Sequence, residues 1–202
     1  VRWDAGLMNY IQLFGGEALQ RVIFSDAKRV LDVGSGQGFH AEALRRNGKT
    51  VTTVSLEAPA DYVGEYLSFA SSEPFDCVWA SHVLEHSLNV NLVVRKFYAD
   101  LRDGGLLAVT VPPAKHAVVG GHVNLFNAGT SLYNLVLGGF DCSGAVVSPV
   151  YVGGIEQPYN ISVLVRKKEA VLPELRYDSG DIEKLAHFFP FAAQQGFDGQ
   201  LL

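Results

Sequence analysis

The sequence predicts an α/β protein with a doubly wound, mostly parallel sheet and helices on both faces. From Arg29 onward, short apolar runs of strand character alternate with amphipathic helical patterns, which is typical of a parallel sheet. A glycine-rich segment directly follows the first run, as expected where a strand turns into a helix. The chain has 202 residues, of which 48% are hydrophobic, enough for the core of one domain.

Composition excludes several classes of partner. The formal charge is -5, and the basic residues form short clusters, so we expect no nucleic-acid partner. No apolar run approaches the roughly 20 residues that cross a bilayer, and no charged leader opens the chain, so we expect no membrane span. Cys77 and Cys142 lack CxxC spacing and metal-site patterns, so we predict no metal site and reduced, packed thiols in a cytoplasmic protein.

The opening segment, residues 1–28, predicts two short helices separated by a Gly-Gly break. Apolar residues recur at helical intervals before and after that break: Leu7, Tyr10, Ile11, Phe14, Leu19, Val22 and Ile23. This segment forms either a lid over a bound substrate or a layer packed on the sheet. The side chains that would form the lid are Trp3, Leu7, Met8 and Tyr10.

The first half of the predicted sheet begins with a strand over Arg29–Val33 and a helix from about Phe39 to Asn47, capped by Gly48. A second strand, "KTVTTVSLE", directs Val51 and Val54 inward and ends at Glu57. Only a few residues separate it from the next apolar segment, "YVGEYL", so a helix of normal length does not fit between them.

The second half continues with a strand over "FDCVWAS" and a helix over "LNVNLVVRKFYADL". The helix places Leu88, Leu92, Phe97 and Leu101 near one face, and an Asp-Gly-Gly turn leads to the strand "LLAVTVPP". A glycine-containing loop, "AKHAVVGGHVNLFNAG", then precedes a helix over "TSLYNLVLGGF" and a hairpin-like pair of strands, "AVVSPVYV" and "NISVLVRKK". The tail predicts one helix near 181–189, ended by a proline.

The segment "RVLDVGSGQGFH" carries the strongest functional signal. A strand, a glycine-rich turn and a helix leave room for the polar part of a nucleotide. The dinucleotide pattern GxGxxG would need glycine at Phe39, and Asp32 would repel a pyrophosphate, so NAD is disfavoured. Asp32 instead suits a ligand with a positive group.

This D-x-G-x-G-x-G loop resembles the cofactor loop of class I S-adenosylmethionine-dependent methyltransferases, specifically the small-molecule, type 11-like group. Further motifs occur in the same order: "FDCVWASHVLEHSLN", "LRDGGLLAVTVPP" and "HVNLFNAGTSLYNLVLGGF". The resemblance spans about residues 29–168. It implies a Rossmann-like, seven-stranded sheet whose last strand is antiparallel.

The resemblance also implies the cofactor and the class of acceptor. Together with the residue patterns it predicts an N-terminal helical lid segment over residues 1–28, a methyltransferase domain over 29–169 and a tail with one helix over 170–202. S-adenosyl-L-methionine is the expected cofactor, and a small molecule or glycan the expected acceptor. The tail aromatics Phe188, Phe189 and Phe191 cover either the core or a second subunit, which leaves a homodimer open.

The resemblance places cofactor-binding residues at the carboxyl ends of the first four strands. Asp32 and the glycine loop face the amino-acid end of the cofactor, and Ala80 and Ser81 present backbone to the methionine. Ser55 occupies the usual acidic position for the ribose, so Glu57 is expected to substitute, because alternate strand residues face one side. Glu65, with Tyr66, lies either near the adenine or at the surface. The predicted residues are Asp32, Gly34, Ser35, Gly36, Gly38, Ser55, Glu57, Glu65, Tyr66, Ala80 and Ser81.

A general base is required if the acceptor is a hydroxyl, and neutral imidazole suits that role. We predict His122 as the base, with His82 and His116 as further candidates. His82 follows the fourth strand, His116 and His122 follow the fifth, and the two loops meet at the same sheet edge. Glu85 and His86 are interpreted as structural.

A catalytically inactive binding or assembly module is the main alternative. It is favoured by the short connection after the second strand, by Ser55, and by Asp103 where the family often has proline. A nicotinamide-dependent oxidoreductase is a distant third.

Overall fold

The computed structural model describes residues 15–114, 118–149, 160–194 and 196. Within these residues, seven strands form one sheet and five α-helices surround it. The strands are β1 (Arg29–Val33), β2 (Thr50–Ser55), β3 (Tyr62–Val63), β4 (Phe75–Ser81), β5 (Leu101–Val111), β6 (Val146–Pro149) and β7 (Ile161–Arg166). The α-helices are α1 (Gly16–Phe24), α2 (Phe39–Arg46), α3 (Val90–Asp100), α4 (Ala128–Leu137) and α5 (Asp181–Leu185).

The sheet order is β3-β2-β1-β4-β5-β7-β6, so the predicted seven-stranded, Rossmann-like fold is confirmed. The first five strands pair in parallel, and β7 runs antiparallel to both β5 and β6. β1 and β4 occupy the centre, and their carboxyl ends are adjacent because Val33 pairs with Ala80. The loops that follow these two strands therefore start side by side, as expected where strand order reverses.

Buried residues alternate along each central strand and face two separate cores. Leu31 and Val33 belong to the core that contains residues of α3, α4 and α5. Val30 and Trp79 face the opposite side and pack with residues of α1 and α2. Because both faces are covered, the central strands are mostly apolar, and the prediction of helices on both faces is confirmed.

The helix after β4 differs from the prediction. Asn89 caps α3 by accepting a hydrogen bond from the Leu92 backbone N–H, so Leu88 lies before the helix and is 93% exposed. Leu92 is also 50% exposed, and the buried face consists of Val93, Val94 and Phe97. Leu88 and Leu101, which were predicted near one helical face with Leu92 and Phe97, therefore lie outside the helix.

The connection between β2 and β3 spans residues 56–61 and contains no helix, as predicted. The Asp61 carboxylate accepts hydrogen bonds from the backbone N–H and the hydroxyl of Thr53, which closes this short connection. β2 ends at Ser55, two residues earlier than predicted, so Glu57 lies beyond the strand.

The two ends of the chain contribute to the cores where they are described. α1 buries Ala18, Leu19 and Val22 on the sheet, whereas the predicted helix before it lies outside the described residues. In the tail, α5 continues as a 3-10 turn over Ala186–Phe188, and Phe188 and Phe189 are buried in the core.

Cys77 and Cys142 are buried free thiols, as predicted. Burial raises the pKa of both thiols. In the described part of the chain, no helix has the length and apolar character required to cross a membrane.

Candidate active site

The loop between β1 and α2 requires its glycines. Gly34, Gly36 and Gly38 have φ values of 74°, 50° and 80°, a region that side-chain-bearing residues rarely adopt. A Cβ on Gly34 would lie 2.5 Å from Cγ2 of Val83, whereas a Cβ on Gly36 or Gly38 would meet nothing within 4 Å. The spacing of the glycines thus follows from the backbone turn, and at Gly34 also from close packing.

A cleft of about 320 Å³ opens beside this loop, a size within the range of small-molecule sites. It lies between the glycine loop, the segment after β4 and the loop after β5. It is lined by Gly34, Ser35, Gln37, Phe39, His40, Ser81, His82, Glu85, His86 and His122.

Asp32 lies in β1 just before the glycine loop and is only 1% exposed. Burial raises the pKa of its carboxyl group to about 7, an effect opposed by the charge of Arg45 and by a hydrogen bond from the Ala41 backbone. Its Oδ2 atom and the buried Oγ of Ser35 lack hydrogen-bond partners among the described residues. Both atoms can therefore still form a hydrogen bond with a ligand at the base of the loop.

Ser81 and His82 form the wall opposite the glycine loop. His82 has a φ of 57°, and its backbone N–H donates to the Thr110 carbonyl, which fixes the chain as it leaves β4. Nδ1 of His82 lies 3.3 Å from the Ser81 hydroxyl. Burial lowers the pKa of His82 to about 4, so its imidazole is neutral at pH 7. Ala80, immediately before them, is fully buried.

The loop after β5 is fastened onto the segment after β4. The Glu85 carbonyl accepts the backbone N–H groups of Val123 and Asn124, at 2.8 and 3.1 Å. The Asn124 side chain in turn donates to the carbonyls of Leu84 and Ser87. These contacts bring His122 to the cleft, next to Glu85 and His86.

Glu85, His86 and His122 place ligand-type atoms within 4.8 Å of one another. Burial raises the pKa of Glu85 to about 7, and its side chain is fully buried. Nδ1 of His86 donates to the Gly121 carbonyl over 2.8 Å. Glu85 and His86, which the sequence analysis interprets as structural, thus also have side chains in the cleft.

The predicted ribose and adenine residues lie apart from the cleft lining. Ser55 is half-buried at the end of β2, and Glu57 and Glu65 are exposed. Tyr66 is 8% exposed, and its hydroxyl donates to the Asp100 carboxylate over 2.7 Å. Its ring packs on Phe97. The structure therefore gives the Tyr66 side chain a packing role in place of the predicted contact with cofactor.

Two residues of the cleft lining were not among the predicted site residues. The side chain of Phe39 is 64% exposed and lines the cleft. His40 packs edge-to-face on Trp79, with ring centroids 5.1 Å apart, and lines the same cleft. Their position at the start of α2, directly after the loop, was the available signal. Of the three predicted bases, His82 and His122 line the cleft, and His116 lies outside the described residues.

Sequence comparison matches a family model described as a methyltransferase domain over residues 9–135. A ubiquinone biosynthesis O-methyltransferase from Pseudomonas entomophila is 33% identical over 96 residues, which cover 39% of this chain and 41% of that protein. A relative of the same name from Methylobacterium nodulans is 32% identical, with 43% of its length covered. The matched segments thus span less than half the length of these curated relatives.

Solved structures of other methyltransferases share the fold. The N-methyltransferase NodS from Bradyrhizobium japonicum gives a TM-score of 0.60 at 17% identity, covering 82% of this chain and 99% of that chain. A Burkholderia thailandensis 1,6-didemethyltoxoflavin-N1-methyltransferase, solved with S-adenosylhomocysteine, gives 0.59 at 17% identity, covering 82% and 79%. The family model covers more than half of the sequence, and the sheet order agrees with it. The chain belongs to the family of class I S-adenosylmethionine-dependent methyltransferase domains.

Proposed function

We propose that the protein transfers a methyl group from S-adenosylmethionine to a hydroxyl oxygen of a small molecule or glycan. One observation carries this proposal: the same cleft is lined by residues of the glycine loop and by His82, His86 and His122. A cofactor on the loop and a proton acceptor for the substrate would therefore lie in the same space.

The residues around the loop fit a cofactor with an amino-acid end. The buried, unpartnered Oδ2 of Asp32 and Oγ of Ser35 can each accept a hydrogen bond from an ammonium group. Three left-handed glycines keep side chains away from the approach. We assign the amino-acid end to Asp32, Gly34, Ser35, Gly36 and Gly38.

The remaining cofactor contacts are proposed at the neighbouring strand ends. Ser55 and Glu57 would bind the ribose, Glu65 the adenine, and the backbone of Ala80 and Ser81 the methionine. Ser55 and Glu57 belong to the same edge of the sheet as Gly34, whose backbone N–H donates to the Val54 carbonyl. When bound, S-adenosylmethionine supplies a methyl group already activated on a sulfonium.

The protein's own contribution is alignment of the acceptor and removal of its proton. We assign the base to His122, at the acceptor side of the cleft. His82 is a weaker candidate, because an imidazole with a pKa of about 4 holds a proton poorly at neutral pH. His116 stays a prediction.

Several expectations belong to the same proposal. They are the division into a lid segment (1–28), a catalytic domain (29–169) and a tail (170–202), the cytoplasmic location, and the homodimer. The O-methyltransferase relatives support oxygen as the acceptor atom, whereas both structural neighbours named above are N-methyltransferases. The acceptor atom therefore needs a direct test.

The test follows transfer of an isotopically labelled methyl group to a panel of phenolic hydroxyls, sugar hydroxyls and matched amines. We expect methylation of hydroxyls, and a decrease in turnover of about 10²-fold or more in His122→Asn with unchanged affinity for S-adenosylhomocysteine. His187→Asn, the same exchange at a residue outside the cleft lining, is the control. Exclusive methylation of amines would refute the hydroxyl assignment, and absence of nucleoside binding would favour the inactive module.

A further inference from the structure

The cluster of Glu85, His86 and His122 combines residues from two separate segments. Glu85 and His86 lie in the 3-10 turn after β4, and His122 lies in the loop after β5. Their ligand-type atoms all lie within 4.8 Å of one another, and all three residues line the cleft. Ligand atoms on a tetrahedral ion with bonds of about 2.05 Å lie roughly 3.3 Å apart, so an approach of about 1.5 Å at most would complete such a set.

The Glu85 carboxylate needs a partner that the described residues do not supply. Its side chain is fully buried, and neither Oε1 nor Oε2 has a hydrogen-bond partner among them. Its ion-pair neighbour in the described part of the chain is His86, with Nε2 at 3.9 Å from Oε1. A buried carboxylate without hydrogen bonds is costly, and a cation bound beside it would remove that cost.

The His86 side chain is already oriented as a metal ligand would be. The acceptor of its Nδ1 is a backbone carbonyl, that of Gly121, so Nδ1 must carry the hydrogen. In the neutral ring, Nε2 then keeps its lone pair on the side of Glu85. Metal-binding histidines characteristically donate their other ring N–H to a carbonyl or carboxylate in this way.

The loop geometry delivers His122 to the same place. Gly121 has a φ of 79°, and a Cβ there would lie 3.1 Å from Nδ1 of His86, so the close approach depends on glycine. The His122 ring lies edge-on to the His86 ring, with centroids 4.9 Å apart and an interplanar angle of 84°. The backbone bonds from Val123 and Asn124 to Glu85 hold this arrangement.

We propose that Glu85, His86 and His122 bind a divalent transition-metal ion of the zinc, iron or cobalt type. Two imidazoles and one carboxylate suit these ions, whereas Mg²⁺ and Ca²⁺ prefer oxygen ligands throughout. Three protein ligands leave a further coordination position open toward the cleft. Sequence analysis did not predict this site, because His122 lies 36 positions after His86 and the set contains no cysteine.

The metal site has a consequence that rests on the proposed function. A ligated His122 cannot accept a proton, so the ion would replace it by stabilising the ionised form of an acceptor hydroxyl, whose proton passes to water. Metal binding itself requires no cofactor and no acceptor. The two proposals can therefore fail independently.

The test is titration of chelator-treated protein with Co²⁺, followed by visible absorption, and with Zn²⁺, Mg²⁺ and Ca²⁺ by calorimetry. We expect one equivalent of Co²⁺ or Zn²⁺ to bind, with no comparable binding of Mg²⁺ or Ca²⁺. Glu85→Gln, His86→Asn and His122→Asn should each weaken Co²⁺ binding by about tenfold or more, and His187→Asn should leave it unchanged. Glu85→Gln removes a buried charge without changing the size of the side chain. A thermal unfolding transition like that of the parent would show that this variant has lost metal binding and not its fold.

No Co²⁺ or Zn²⁺ binding by folded protein, or equal binding by His122→Asn and His187→Asn, would overturn the metal site. S-adenosylhomocysteine is titrated into the same chelator-treated sample. Nucleoside binding without metal binding leaves the proposed function standing and rejects the metal site. Metal binding without nucleoside binding leaves the metal site standing and rejects the proposed function.

Discussion

Replacing Asp32 by asparagine should stabilise the protein at neutral pH and weaken cofactor binding at the same time. Asp32 is 1% exposed at the centre of the sheet, and one of its carboxyl oxygens has no partner among the described residues. Burial raises its pKa from 3.8 to about 7. The ionised carboxylate is therefore disfavoured in the folded protein relative to the unfolded chain.

The sign and size of the effect follow from this shift. Because the folded pKa exceeds the unfolded one, stability contributed by Asp32 is fully present below pH 3.8 and is lost as the pH rises through about 7. Each pKa unit corresponds to about 1.4 kcal/mol, so the shift implies an upper limit on the order of 4 kcal/mol above pH 7. Asparagine does not ionise, so it avoids this cost, although burying its amide N–H donors without partners offsets part of the gain in unfolding free energy. We expect Asp32→Asn to be more stable than the parent by about 1–3 kcal/mol at pH 8, and by less at pH 5.

The assay is urea unfolding of both proteins from pH 5 to 8, with calorimetric titration of S-adenosylhomocysteine at pH 7.5. Asp103→Asn, a change at a fully exposed carboxylate near the start of β5, controls for altered net charge. We expect the difference in unfolding free energy to grow with pH only for Asp32→Asn, and its nucleoside affinity to fall about tenfold. If the unfolding free energies of Asp32→Asn and the parent changed with pH in parallel, the claim that burial raises the pKa of Asp32 would be refuted. Unchanged nucleoside affinity would refute the proposed role of the carboxylate in binding.

Two further predictions concern the glycine loop and the start of the central strands. Gly34→Ala should destabilise the protein more than Gly36→Ala. Both positions have a left-handed φ, which costs an alanine roughly 1–2 kcal/mol, but only the Cβ at position 34 would clash, at 2.5 Å from the Val83 side chain. Equal melting temperatures of the two variants would contradict this prediction. Asp76→Asn should cost roughly 2 kcal/mol at pH 7, because backbone bonds to the start of β1 and the Arg102 guanidinium hold the pKa of Asp76 at about 2. That contribution is present above pH 3.8 and is lost as the pH falls through 2, so unfolding curves should converge in acid.

The elements that the sequence predicts well are those whose local pattern determines their burial. Strands such as Phe75–Ser81 are buried on both faces, so most of their residues are apolar wherever they lie in the sheet. The glycine loop was predictable because Gly34, Gly36 and Gly38 each occupy a backbone conformation that favours glycine. At these positions the local backbone conformation and the tertiary structure favour the same residue types.

The errors occurred where a partner distant in sequence decides the outcome. Leu88 is the exception, because a local feature, the Asn89 cap, starts the helix after it. Tyr66 follows the acidic position that Glu65 matches, and the bond from its hydroxyl to Asp100 on α3 could not be read from the local sequence. The Glu85, His86 and His122 cluster depends on loop contacts between residues about 40 positions apart, such as the bond from Asn124 to Leu84. No local pattern contains this information.

The most direct test of the central claim is calorimetric titration of the protein with S-adenosylhomocysteine and, separately, with NAD. We expect saturable heat and a raised melting temperature with S-adenosylhomocysteine, and neither with NAD. We also expect loss of that heat in Gly36→Val, whose side chain would enter the open approach to the loop. Absence of heat with S-adenosylhomocysteine, or binding of NAD in its place, would contradict the assignment of this cleft.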